Sequence, residues 1–111
     1  KKSEESLFWS KMIDYVQHNY VRQITLEEIA SAGSVGRTKC AQIFHEMVDQ
    51  TPIEFVNDVR MRAGAEMLDT TSMPVSDIAK KLGFSSSTFF TRTFKQYMHT
   101  TPTAYRRNML K

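Results

Sequence analysis

The sequence predicts an all-α fold that contains one helical unit twice. Three observations support this prediction. Apolar residues recur at helical spacing along most of the 111-residue chain. Glycine, proline and small polar residues interrupt that spacing where short helices would end and begin. Finally, a set of residues from the first half of the chain recurs about 50 positions later.

The first helix is expected over about residues 7–20, after a charged and loose lead-in over residues 1–6. Its apolar residues fall at positions i, i+3, i+4, i+7 and i+11, which predicts one buried stripe. The stripe consists of Trp9, Met12, Ile13, Val16 and Tyr20. The apolar stripe indicates a packed core rather than a cofactor site.

Two shorter helices complete the first unit, which is predicted to span residues 7–51. The second helix covers residues 25–32, and Thr25 and Glu28 have the spacing of a capping box at its start. Glycines then break the pattern, and a third helix is expected over about residues 37–48. Its inner face is predicted to consist of Cys40, Ile43, Phe44 and Met47.

A long helix over residues 52–69 is expected to join the two units. Thr51 can cap its start, and Pro52 occupies the first turn, where a missing N–H costs nothing. Gly64 lies inside this helix, where glycine is destabilising unless a neighbouring group packs closely against it. The apolar residues expected on its buried side are Ile53, Val56, Val59, Ala63 and Met67.

The second unit is predicted to span residues 70–111. A short helix over residues 75–82 ends at Gly83, where glycine allows a left-handed backbone. Ser85 or Ser86 can cap the helix that follows, expected over about residues 86–98. Its apolar residues at helical spacing predict one buried face formed by Phe90, Phe94 and Tyr97. Phe89 is expected at the rim of the core, and the alternative is an aromatic residue at the binding surface.

Two segments of the first half match two segments of the second half. Residues 26–30 parallel residues 75–79 at an offset of 49. At an offset of 50, the residues Phe44, Thr51, Pro52 and Phe55 parallel Phe94, Thr101, Pro102 and Tyr105. A helix, a glycine-containing turn and a polar-faced helix form a helix-turn-helix pattern, so the repeat predicts two such units.

The helix over residues 86–98 has a polar face opposite its apolar residues. Short hydroxyl-bearing side chains and one long cation form this face: Ser87, Thr88, Thr91 and Arg92. Such a surface suits the edges of bases in the major groove of DNA better than bulk water. Two such helices in one chain predict entry into successive major grooves, about 34 Å apart.

The net charge of +3 is unevenly distributed along the chain. Residues 1–72 contain eight Lys/Arg and eleven Asp/Glu, a net charge of −3. Residues 73–111 contain seven Lys/Arg and one acidic residue, a net charge of +6. A basic half suits a polyanionic partner, because neutralising phosphates releases counterions. Charge alone leaves a solvated basic face as an equal alternative.

Other features exclude several classes of protein. No apolar stretch approaches membrane length, and no signal peptide is visible. The single cysteine, Cys40, fits a reducing cytoplasm and is expected to pack in the core. The three histidines lie too far apart for a metal site, and the sequence contains no nucleophile–base set, phosphate loop or dinucleotide fingerprint. No cofactor, metal or enzymatic activity is therefore expected.

Four motifs of the second unit indicate a known family. They are the Asp77-Ile78-Ala79 helix, Gly83-Phe84-Ser85-Ser86, the spacing of Phe90, Arg92 and Phe94, and Thr101-Pro102-x-x-Tyr105-Arg106. With the order of the helices, these motifs resemble the AraC/XylS family of bacterial transcription regulators over about residues 7–107. The resemblance implies seven helices that form two homeodomain-like helix-turn-helix units around a linker helix. It also implies that the helices over residues 37–48 and 86–98 are recognition helices.

Carried over by position, the resemblance implies DNA contacts from both recognition helices and the residues just before them. In the first unit these residues are Gly36, Arg37, Thr38, Lys39, Ala41 and Gln42. In the second unit they are Ser85, Ser86, Ser87, Thr88, Thr91 and Arg92. The first unit departs from the family pattern, since Ser34 stands where glycine is usual and Gly36 where serine is usual. Gly36 lacks a hydroxyl cap and Ala41 offers only a methyl group, so this unit is expected to read DNA weakly or by shape.

These features predict the sequence-specific double-stranded DNA-binding domain of a cytoplasmic transcription regulator. Its expected partners are promoter or operator DNA and RNA polymerase. Because the chain starts at Lys1 without methionine, it is expected to be a piece of a longer protein whose effector-sensing domain lies outside this sequence. The alternative is a helical protein-interaction module, for example one that recruits RNA polymerase, with DNA binding secondary.

Overall fold

Residues 2–109, the part of the chain that the computed structural model describes, contain seven α-helices and no β-strand. The predicted all-α, seven-helix fold class is therefore confirmed. The helices are α1 (Lys2–Asn19), α2 (Leu26–Ala32), α3 (Arg37–Val48), α4 (Pro52–Thr70), α5 (Val75–Lys81), α6 (Ser87–Met98) and α7 (Pro102–Met109).

The chain divides into two compact units, one up to Val56 and one from Asn57 onward. The division falls inside α4, whose first residues belong to unit 1 and whose later residues belong to unit 2. The sequence-based division, with units over residues 7–51 and 70–111 around a linker, remains a prediction. No helix among the described residues is long and apolar enough to cross a membrane.

The start of α1 differs from the sequence-based expectation. Residues 2–6, expected to form a loose lead-in, are helical. Two acidic residues, Glu4 and Glu5, lie in the first turn, where negative charge interacts favourably with the helix dipole. Glu5 also forms an ion pair with Lys39 on α3, with Oε2 and Nζ 3.2 Å apart. These interactions explain why a charged N-terminal segment adopts helical structure.

An aromatic cluster forms the core of unit 1. The rings of Trp9, Phe44 and Phe55 pack edge to face, with centroids 4.9 to 5.9 Å apart. Phe44 is fully buried, as are Met12 and Val16 of the stripe predicted on α1. Since Phe44 lies on α3, this cluster fixes α3 against α1 and the start of α4.

The core of unit 2 is a second aromatic cluster in the equivalent place. Phe90 and Phe94 on α6 are fully buried, and their ring centroids lie 5.7 Å apart. The ring centroid of Phe90 also lies 5.3 Å from that of Phe84, and the ring centroid of Phe94 lies 5.6 Å from that of Tyr105 on α7. Phe44 and Phe94, which match at an offset of 50, therefore anchor α3 and α6 in the same way.

Gly64 determines which face of α4 is buried in unit 2. A Cβ added at Gly64 would lie 3.0 Å from Cδ1 of Leu82 and 3.2 Å from Cζ of Phe90, so glycine is required for this close approach. The residues that flank Gly64 on this face are buried: Met61, Ala65 and Leu68. The predicted stripe of Val59, Ala63 and Met67 is only half-buried. That prediction was wrong because the helix offers two apolar stripes, and the one with the smallest residue packs closest.

Two further residues predicted to be buried lie at the surface of unit 1. Met47 is 49% exposed because it lies in the last turn of α3, beyond the residues that pack on the aromatic cluster. Ile53 is 43% exposed, whereas Pro52 and Val56 of the same helix are buried. In the first turn of α4, the buried side is therefore displaced from the predicted stripe.

The Tyr105-Arg106 pair of the second unit has a structural role. The Nε group of Arg106 donates a hydrogen bond to the carbonyl of Leu68 at 3.1 Å. Its Nη2 group donates to the carbonyl of Thr71, also at 3.1 Å. The end of a helix exposes unpaired carbonyls and favours positive charge. Arg106 therefore attaches α7 to the end of α4, beside the ring contact of Tyr105.

The turns that precede α3 and α6 have the same hydrogen bonds but different residues. In unit 1, the Val35 N–H donates to the Ala30 carbonyl at 3.0 Å, and the intervening Ser34 has φ = 58°. In unit 2, the Phe84 N–H donates to the carbonyl of residue 79 at 3.0 Å, and Gly83 has φ = 87°. This left-handed conformation costs a residue with a side chain about 1–2 kcal/mol. Ser34 therefore makes the unit 1 turn strained.

Replacing Ser34 with glycine is expected to raise the free energy of unfolding by about 0.5–1 kcal/mol, because glycine adopts this conformation without steric cost. The reverse change, Gly83→Ser, is expected to lower it by at least as much. Trp9 is the only tryptophan and lies in unit 1, so urea unfolding followed by its fluorescence measures the Ser34→Gly effect. Circular dichroism measures the Gly83→Ser effect.

The matched control is Ser31→Gly, within α2. It is expected to destabilise the protein by up to about 1 kcal/mol, because glycine weakens a helix interior. If Ser34→Gly is no more stable than the parent protein, the strain assigned to this turn is wrong.

Candidate nucleic-acid interface

The cap residue Ser86 determines where α6 begins. Its backbone is extended, with φ = −152°, and its Oγ accepts a hydrogen bond from the Phe89 N–H at 3.1 Å. Of the two serines considered as caps, Ser86 therefore has this role. The helix starts at Ser87, within one residue of the predicted start, and burial of Phe90 and Phe94 determines which face points outward.

The four residues predicted on the polar face of α6 lie together in the structure. Ser87, Thr88 and Arg92 are exposed, and Thr91 is half-exposed. All four line one shallow surface depression. The Arg92 side chain makes no hydrogen bond or ion pair with any residue that the structure describes. Its guanidinium is therefore available for an external acceptor.

A second depression connects the start of α6 with α5. Ser85, Ser86 and Ser87 line it together with Ser76 and Lys80 of α5. Lys80 and Lys81 are both exposed. Hydroxyl groups, a cation and the N–H groups at a helix start are all donors, and this combination suits a phosphate.

The start of α3 lacks the cap that α6 has. Gly36 is the N-cap residue, and no side-chain hydrogen bond caps the helix. A Cβ added at Gly36 would meet nothing within 4 Å, so close packing does not require glycine here. The predicted contact residues Arg37, Thr38, Ala41 and Gln42 are all exposed. Three of them, with Leu26 of α2, line one depression: Arg37, Thr38 and Ala41.

The two cations at the start of α3 are paired with carboxylates. Nε of Arg37 lies 3.3 Å from Oε2 of Glu27 on α2. Lys39, a predicted contact residue, is half-buried and forms its ion pair with Glu5 of α1. The sequence pattern indicates neither acidic partner. Glu5 was assigned to a loose lead-in, and a separation of ten residues across a turn gives no periodic signal for Glu27 and Arg37.

One residue of α3 and one of α6 have packing roles. Cys40 is fully buried, and burial raises the pKa of its thiol to about 11, so the thiol stays protonated at neutral pH. Phe89 is 48% exposed and packs edge to face against Phe84, with ring centroids 5.5 Å apart, so part of its ring lies against the core and part is at the surface. Among the described residues, no group of three or more His, Cys, Asp or Glu could hold a metal ion.

A hydrogen-bonded cluster fixes the start of α2. The Glu28 carboxylate accepts hydrogen bonds from Arg22 Nη2 at 2.8 Å, the Thr25 backbone N–H at 2.8 Å and the Tyr15 hydroxyl at 3.1 Å. The Glu28 N–H donates to Thr25 Oγ1, which completes the predicted capping box. The bond from Arg22, followed by that from Thr25, lowers the pKa of the Glu28 carboxyl to about 2.

Comparison with known sequences identifies a helix-turn-helix domain in the chain. A family model described as a helix-turn-helix domain matches residues 29–108. The probable transcription factor PqrA of Proteus vulgaris is 34% identical over 85 residues, which are 77% of this chain and 70% of that protein. The uncharacterized HTH-type transcriptional regulator YdeC of Bacillus subtilis is 33% identical over 97 residues, which are 87% of this chain and 33% of that protein.

Solved structures share the same fold. A transcriptional regulator with an AraC-type DNA-binding domain from Chromobacterium violaceum superposes with a TM-score of 0.87 at 20% identity, covering 92% of this chain and 91% of that one. The DNA-binding domain of AdpA, solved in complex with a target DNA, gives a TM-score of 0.82 at 19% identity and covers 89% of both chains. At these identities, the likeness supports the fold alone.

Fold and relatives together define the DNA-binding domain of a transcription regulator. The chain belongs to the AraC/XylS family, as its second-unit motifs predicted. This is a family of transcription regulators, not of enzymes. The chain spans about a third of the length of several curated relatives that it matches.

The low pKa of Glu28 predicts a specific dependence of stability on pH. Because the folded-state pKa lies below the unfolded value of 4.5, the carboxylate contributes stability above pH 4.5. That contribution is lost as the pH falls from 4.5 towards 2 and the group becomes protonated. Glu28→Gln should therefore have a lower melting temperature than the parent at pH 7, and the difference should shrink steadily to pH 2.

Glu46→Gln serves as the control for this prediction. Glu46 is exposed on α3, and the structure gives it no hydrogen bond or ion pair with a described residue. Its melting temperature should follow that of the parent over the whole pH range. A constant difference between Glu28→Gln and the parent would show that the charge of Glu28 does not stabilise α2.

Proposed function

We propose that the chain binds double-stranded promoter or operator DNA in a sequence-specific way, with α3 and α6 in successive major grooves. The observation that carries the proposal is the polar face of α6. Its four polar residues are aligned opposite two buried phenylalanines, and Arg92 is available for an external acceptor. Packing, rather than the DNA, thus determines the orientation of this face.

The charge around α6 supports a division between base contacts and phosphate contacts. Arg92 lies in the middle of the polar face, and a guanidinium can pair bidentately with O6 and N7 of guanine. Lys80 and Lys81 lie on α5, the first helix of the helix-turn-helix pair, which crosses the DNA backbone in this class of domain. Their ammonium groups are therefore assigned to phosphates.

The first unit contributes fewer free cations to the interface. Both Lys39 and Arg37 are paired with carboxylates, and residues 1–72 have a net charge of −3. Ala41, on the exposed face of α3, offers a methyl group that suits the methyl group of thymine. We therefore assign most of the non-specific affinity to the second unit.

We further propose that the chain functions in the bacterial cytoplasm as part of a longer regulator. The chain covers only about a third of the length of several relatives, which leaves room for an effector-sensing domain in the longer protein. One relative, from Providencia stuartii, is named a transcriptional activator; it is 28% identical and matches 92% of this chain and 76% of that protein. This supports RNA polymerase as a second partner of the DNA-bound chain.

Selection of bound sequences from a pool of random duplexes tests sequence-specific binding directly. The proposal predicts an enriched motif, and binding to that motif that weakens steeply with salt because phosphates are neutralised. A module that only recruits another protein would enrich no motif. Such a result would reject the proposed function.

Replacing Arg92 with alanine separates base recognition from electrostatic attraction. The change should weaken binding to the selected site by about 1–3 kcal/mol and relax discrimination at one or two base pairs. It should have little effect on scrambled DNA. Binding of each variant to both duplexes over a series of salt concentrations provides the measurement.

Lys80→Ala and Lys81→Ala are the matched controls. A lysine that contacts a phosphate should weaken binding to both duplexes by a similar factor, and its loss should lower the salt slope by about one unit. If Arg92→Ala shows this same behaviour, Arg92 is a phosphate contact and the assignment of base recognition is wrong.

A further inference from the structure

The guanidinium of Arg37 has one ion-pair partner among the described residues. Its Nε lies 3.3 Å from Oε2 of Glu27, and both side chains stay largely accessible, at 69% and 63% exposure. A guanidinium has five N–H donors, four of which belong to the two Nη groups. Apart from Glu27, no described residue forms an ion pair or hydrogen bond with this guanidinium. Both Nη groups are therefore available to donate to two acceptors at the same time.

The helix turn that carries Glu27, the partner of Arg37, is fixed by neighbouring hydrogen bonds. Glu27 is the second residue of α2 and lies directly before Glu28, whose carboxylate binds Arg22, Tyr15 and the Thr25 backbone. This cluster fixes the first turn of α2. In addition, Leu26 of that turn lines the same depression as Arg37, so α2 and α3 share one surface here.

We propose that Glu27 is a positioning residue for base recognition by Arg37. It holds the guanidinium through Nε and leaves the two Nη groups in a fork that matches O6 and N7 of a guanine. The inference rests on the proposed function, because it places the start of α3 in a major groove. Holding a long side chain before binding reduces the conformational entropy that binding would otherwise cost.

The second unit does not contain this arrangement. At offsets of 49 and 50, the positions of Glu27 and Arg37 are occupied by Ser76 and Ser87. The other ion pair of α3, between Lys39 and Glu5, differs in kind, since an ammonium group lacks the planar fork that binds a guanine edge. The positioned arginine is therefore a specific property of the first recognition helix.

The direction in which DNA binding changes when Glu27 loses its charge distinguishes positioning from simple electrostatic repulsion. A carboxylate close to DNA repels phosphates, so removing its charge would strengthen binding to every sequence if Glu27 did nothing else. If Glu27 positions Arg37, removing the charge must instead weaken discrimination at the base pair that Arg37 contacts. Glu27→Gln suits this comparison, because it preserves the size and helix propensity of the side chain.

The experiment uses the whole chain and four proteins: the parent, Glu27→Gln, Arg37→Ala and the double variant. Each is titrated at one salt concentration with the selected duplex, with single-base-pair variants of that duplex and with a scrambled duplex. Arg37→Ala should lower the preference at one G·C pair by about 5- to 150-fold. Glu27→Gln should lower the preference at the same pair by about three- to tenfold, with unchanged or tighter binding to the scrambled duplex. The double variant should discriminate no less than Arg37→Ala alone.

Glu5→Gln is the matched control, because it removes the carboxylate of the other ion pair on α3. It should leave the preference at the Arg37 base pair unchanged, and circular dichroism should show the parent's melting behaviour for Glu27→Gln. Unchanged discrimination by Glu27→Gln, or equally tighter binding to all duplexes, would overturn the inference while the proposed function stands. If the parent shows no sequence preference, the proposed function fails and the inference fails with it.

Discussion

Burial of one face of α3 and of one face of α6 is the constraint on which the rest of the structure depends. A helix of 12 residues, the length of α3 and of α6, is marginal in water on its own. Each is fixed by a buried phenylalanine at the equivalent position, Phe44 or Phe94. Such a residue contributes about 3–5 kcal/mol relative to alanine, a large share of the 5–15 kcal/mol of a typical domain. The packing that stabilises each helix also directs its polar face outward.

The two units place the same type of helix in different electrostatic surroundings. In unit 1, carboxylates from α1 and α2 pair with both cations at the start of α3. In unit 2, Arg92 has no such partner among the described residues, and the residues from 73 onward carry a net charge of +6. This contrast fits the proposal that the second unit supplies most of the affinity for phosphates.

The sequence predicted α3 and α6 well, because glycines and cap residues mark their starts and buried aromatic residues mark their inner faces. It predicted the buried side of α4 poorly, since two apolar stripes compete and only the packing around Gly64 selects one. The partners of Arg37 and Lys39 were missed because ion pairs between helices follow no sequence period. Ser34 shows an intermediate case: the family pattern marked it as unusual, and its φ of 58° shows the physical cost.

The most direct test of the account is a hydroxyl-radical footprint of the chain on a single copy of its selected site. If both polar-faced helices enter DNA, the footprint should show two protected patches on the same side of the duplex, about one helical turn apart. The site should be asymmetric, because the residues of α3 and α6 that face outward differ. Protection of a single groove, or a strict need for a palindrome within one footprint, would contradict the account.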